Sequence, residues 1–64
     1  MTLLERYYER RSPDIILTKE EFILFSILAD LLDRRGLKGE FLSIDEDIQE
    51  EVLQTWLRII EDEI

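Results

Sequence analysis

The stretch from Thr18 to Leu37 constrains this chain most, because it carries both ends of a helix and an apolar arc too wide for one neighbour to cover. Thr18 and Glu21 have the spacing of a capping box, in which the hydroxyl accepts from the third helical amide and the carboxylate reaches back to the cap. Leu17 and Phe22 flank that cap at the spacing of a hydrophobic staple. Gly36 is placed to close the helix, Arg34 and Arg35 suit the negative end of its dipole, and Leu37 is expected to fold back on Leu32. At about 100° per residue, Lys19, Ser26, Asp30 and Asp33 share one narrow polar wedge. Phe22, Leu24, Phe25, Ile27, Leu28, Ala29, Leu31 and Leu32 occupy most of the remaining circumference. A helix of this kind needs cover on several sides.

The means of covering it are few. The chain has 64 residues and neither Cys nor His, so disulfides, thiolate zinc sites and imidazole ligands are all excluded. With 45 % apolar and 38 % charged side chains it reads as one ordered domain, residues 1–64, stabilised by helix packing or by association with another chain.

Three helices are expected, at about 3–11, 19–35 and 44–62. Thr2 and Glu5 repeat the capping-box spacing at the start of the first, and Ser12-Pro13 ends it because a residue before proline avoids the helical region. Asp14-Ile15-Ile16-Leu17 lacks a helical period and is expected as an extended strap over the core. The segment able to pair with it in a short β-bridge is Glu40-Phe41-Leu42, at the end of a turn that begins at Gly36. Ser43 and Glu46 have the spacing of a third capping box. Behind them Ile44, Ile48, Val52, Trp56 and Ile60 form an i+4 ladder, widened by Leu53, Leu57 and Ile59. The expected fold class is all-α, a short N-terminal helix packed on a long antiparallel helical hairpin.

No catalytic constellation is present, so no enzymatic activity and no catalytic residue is expected. The chain offers no His for acid–base work, no Cys nucleophile and no glycine-rich phosphate loop. Its apparent calcium-loop spacing from Asp45 fails, because the sixth and twelfth positions hold Glu50 and Trp56 where an EF-hand needs Gly and Glu. Neither a cofactor nor a bound metal is expected. The longest apolar run, Phe22 to Ala29, is interrupted by Ser26 and far shorter than the roughly 20 residues of a membrane span. With no basic-then-apolar leader at its start, the chain is expected to be cytoplasmic and not membrane-bound.

Charge and aromatic residues point instead to partners. The net charge is −8, and residues 43–64 hold eight carboxylates against Arg58 alone, which opposes nucleic-acid binding. Arg6, Tyr8, Arg10 and Arg11 interleave cations with an aromatic in the first helix, a composition shared by single-strand platforms and protein hot spots. On this acidic background the protein contact is the better reading. Trp56 lies on an apolar face broad enough to serve both core and contact. The functional expectation is a small acidic interaction module that forms a homodimer or higher assembly, with Arg6, Tyr8, Arg10, Arg11, Glu46, Asp47, Glu50, Glu51 and Trp56 as partner-binding residues. A partner using the acidic face of the third helix should be basic. The alternative is an inhibitor that imitates nucleic acid, in which Glu46, Asp47, Glu50, Glu51, Gln54 and Glu61 fill the basic groove of a nucleic-acid-handling protein.

Overall fold

A computed structural model of the chain describes residues 2–64. Four helices follow one another, α1 (Leu3–Tyr8), α2 (Lys19–Leu32), α3 (Leu37–Leu42) and α4 (Glu46–Glu63), with no strand among the described residues. The all-α architecture is as expected, with one helix more. α4 is the longest element and packs chiefly on α2. α1 lies against α4, and α3 against α2.

Two of the three capping boxes form. The Thr2 and Thr18 hydroxyls accept from the Glu5 and Glu21 amides at 3.1 Å each. The carboxylates answer, accepting from Thr2 N at 3.2 Å and Thr18 N at 2.9 Å. The Ser43–Glu46 box does not form, because Ser43 closes α3 and its hydroxyl donates to Glu40 O at 2.7 Å. Asp45 precedes α4 in its place, without a side-chain cap. Two carbonyls at and just beyond the end of α3 are met from the far side by Gln49. Its Nε2 donates to Phe41 O at 3.2 Å and to Ile44 O at 2.7 Å. Gln49 is buried and both bonds of its NH2 group run to this corner, so it ties the end of α3 to α4 rather than disturbing the core.

The segment 36–42, expected as a compact turn with a β-bridge from 40–42 as the alternative, is corrected to a helix over Leu37–Leu42. Gly36 reverses the chain at φ +80, a conformation that glycine adopts without a Cβ penalty. Bonds from Lys38 N to Arg34 O, Glu40 N to Gly36 O and Ser43 N to Gly39 O then satisfy this segment locally. Nothing is left to pair with residues 14–17. Leu37, expected against Leu32, begins α3 and is 51 % exposed. α1 stops at Tyr8 rather than residue 11, because tighter bonds from Arg10 N to Tyr7 O and Ser12 N to Glu9 O take over. α2 likewise stops at Leu32 rather than residue 35.

The core consists of Leu3 and Tyr7 from α1, Leu24, Phe25 and Leu28 from α2, Phe41 from α3 and Leu53 from α4. Tyr7 meets Phe25 edge to face at 5.6 Å and 71°, and the Arg10 guanidinium lies 4.1 Å from the Tyr7 ring centre. The expected ladder of α4 is displaced around the helix. Gln49 and Leu53 face inward with Leu57 and Ile60 beside them, whereas Ile44, Ile48 and Ile59 are 38, 44 and 53 % exposed. Ile44 precedes α4 and so leaves the ladder, and the rotation of the helix places Gln49 and Leu53 inward with Glu50, one residue past Gln49, held against the start of α1.

Candidate functional site

Two polar clamps place α1, and each uses a residue expected at a partner interface. In the first, Arg6 forks onto Glu21, Nε to Oε2 at 2.7 Å and Nη2 to Oε1 at 2.9 Å, while Nη2 also donates to Ile16 O at 2.9 Å. The same Glu21 carboxylate completes the cap of α2. In the second, Glu50 Oε2 accepts from Leu3 N at 3.0 Å and Oε1 from Leu4 N at 2.9 Å. With Thr2 taking the Glu5 amide, the free donors at the start of α1 are all met. Gln54 Nε2 donates to Glu50 Oε2 at 2.7 Å and steadies it.

The hydrogen bonds from Arg6 hold the Glu21 carboxyl below its usual value, against the raising effect of burial and with help from the Thr18 amide. The Thr2 amide does the same for Glu5. A carboxyl lowered in the folded state stabilises it fully above the unfolded value of about 4.5, and this contribution is lost as pH falls through the lower folded value. Thermal melts followed by circular dichroism between pH 7 and 3 are therefore expected to show Glu21→Gln losing less on acidification than the parent chain. Equal losses would mean that the Arg6 fork carries no acid-dependent stability.

Beyond the clamps, three concave regions of the surface hold most of the expected site residues. The largest, about 570 Å³, lies between α1 and the corner where α3 meets α4. Leu4, Tyr8, Leu42 and Ile44 supply its apolar surface, Glu5, Glu46, Asp47 and Glu50 its carboxylates, and Thr2 and Gln49 complete the lining. No basic side chain lines it. A second, about 310 Å³, is lined by Arg10, Arg11, Leu17, Phe22, Phe25, Ser26 and Ala29. The third, about 350 Å³, runs along α4 past Ile48, Glu51, Val52, Thr55 and Trp56.

The structure thus distributes the nine expected site residues. Tyr8, Glu46, Asp47 and Glu50 come together in the first groove, Arg10 and Arg11 in the second, and Glu51 and Trp56 in the third. Arg6 lines none of the three and is engaged with Glu21 and Ile16. The interleaved segment of the first helix is therefore split, with Tyr8 on one side of α1 and the two arginines on the other. Sequence reasoning missed Leu4, Leu42 and Ile44 as groove residues. Leu4 and Tyr8 stand four apart and so share a face, but no local signal sets Leu42 and Ile44 beside them.

Among the described residues, no group of three or more acidic side chains is arranged to hold a metal ion. No described helix is long and apolar enough to cross a membrane. No protein-family model matches the chain, nor does any curated protein or solved structure.

Proposed function

We propose that this chain is a small acidic interaction module of the cytoplasm, without catalytic activity of its own, that self-associates and binds a second protein. The observation that carries this reading is the apolar surface left uncovered. Tyr8, Ile16, Phe22, Ile27, Leu37, Leu42, Ile44, Ile48, Ile59 and Ile64 are between 38 and 86 % exposed. Scattered apolar side chains are ordinary on a monomer, but contiguous ones mark contact surfaces. On α4 the exposed Ile48 and Ile59 fall on one flank at helical spacing with the half-buried Val52 and Trp56, the latter also packed against the core, away from Glu50 and the α1 contact. A pair of such flanks, packed as helices in a bundle, would remove them from water.

Sedimentation equilibrium at micromolar concentration tests this. The expected result is a mass at or above twice the 7.7 kDa chain, reduced by Ile59→Glu. A stable mass of one chain would overturn self-association. The nucleic-acid-mimic reading has a smaller basis, since Glu50 and Gln54, two of the residues it draws on, are engaged with α1 and with each other.

A further inference from the structure

We propose that the groove between α1 and the α3–α4 corner receives a basic amphipathic helix of a partner protein. The partner's apolar side chains would rest on Leu4, Tyr8, Leu42 and Ile44, and its Lys or Arg side chains would meet Glu46 and Asp47. This deepens the interaction reading, on which it rests, and it can fail separately because the flank of α4 proposed for self-association lies outside the groove.

Charge complementarity selects the occupant. The groove brings four carboxylates to an apolar surface with no basic side chain among its lining residues. Glu5 and Glu50 are committed to α1, Glu5 through Thr2 and Glu50 through the Leu3 and Leu4 amides. Among the described residues, Glu46 and Asp47 remain as the rim carboxylates without a cationic partner, both in the first turn of α4. Beside them Tyr8, Leu42 and Ile44 are 60, 45 and 38 % exposed, an amphipathic tyrosine and two aliphatic side chains of the type that helix-binding grooves present. A ligand with apolar residues on one face and cations beside them satisfies both features at once. A second copy does not. It brings a net charge of −8 to an acidic rim: its Arg6 and Arg34 are paired with Glu21 and Asp30, its Arg10 is stacked on Tyr7, and its other five cations, Arg11, Lys19, Arg35, Lys38 and Arg58, are outnumbered by its sixteen carboxylates.

The test uses the full chain and a labelled Leu/Lys peptide with leucines at i, i+3, i+4 and i+7 spacing, titrated by fluorescence anisotropy and mapped by amide chemical-shift changes. A Leu/Glu peptide of the same pattern is the control. Saturable binding of the Leu/Lys peptide is expected, shifting the amides of Tyr8, Leu42 and Ile44 and weakening about tenfold from low to moderate salt. The double variant Glu46→Gln, Asp47→Asn should weaken it several-fold more than Glu61→Gln, Asp62→Asn, which removes the same charge at the other end of α4. Circular dichroism establishes that both variants keep the helical fold. Equal weakening by the two variants would reduce the effect to bulk charge and overturn the proposal. Shifts confined to Val52, Trp56 and Ile59, or concentration-dependent shifts at Tyr8 and Ile44 without peptide, would overturn it as well.

Discussion

Leu28→Ala is expected to destabilise the fold by about 2–5 kcal/mol and to leave much of the population unfolded at room temperature. Leu28 is 0 % exposed at the centre of the core, and the alanine leaves a cavity that surrounding side chains fill only in part. A chain of this length has roughly 3–10 kcal/mol of stability in all, so one such cavity consumes a large share of it. Leu53, equally buried on α4, should behave alike. Ile27 is adjacent in sequence but 54 % exposed, and Ile27→Ala should cost under about 1 kcal/mol. Urea titrations followed by circular dichroism measure all three. Equal effects at Leu28 and Ile27 would show that the core is not where the structure places it.

Glu50→Gln is expected to loosen α1 selectively. The parent carboxylate accepts from both the Leu3 and Leu4 amides, whereas a carboxamide has one oxygen to accept with and turns an N–H towards the other donor. Losing a charged acceptor and leaving a part-buried amide unpaired costs about 1–3 kcal/mol. α1 has six residues, too few to hold a helix in water without outside contacts. Hydrogen exchange should therefore accelerate across Leu3–Tyr8 while the amides of α2 keep their protection. Uniform acceleration through the whole chain would mean that α1 and the hairpin open as one unit.

What the sequence disclosed and what it concealed divide along range. The Thr2 and Thr18 caps depend on residues three apart, and the spacing alone identifies them. The Ser43–Glu46 spacing has the same appearance, but an unforeseen helix from Leu37 to Leu42 makes Ser43 its last cap. Two glycines at 36–42 point to a turn, yet only Gly36 needs glycine's freedom, and Gly39 sits within the helix. The clamps were hidden because they cross the chain: Arg6 finds Glu21 at a separation of 15 residues, and Leu3 finds Glu50 at 47. For the candidate site, the residue types were legible and their grouping was not. Tyr8, Glu46, Asp47 and Glu50 meet because α1 lies against the start of α4, and Ile44 lines the groove instead of extending the ladder because α4 begins only at Glu46.

The bond from Leu3 to Glu50 also orders events during synthesis. Domains commonly begin to fold from the end made first. Here α1 has two of its opening amides matched to a carboxylate supplied 46 or more residues later. Until α4 has been made, those donors have only water to bond to and α1 has no α4 to lie against. α1 is thus completed only once α4 has arrived.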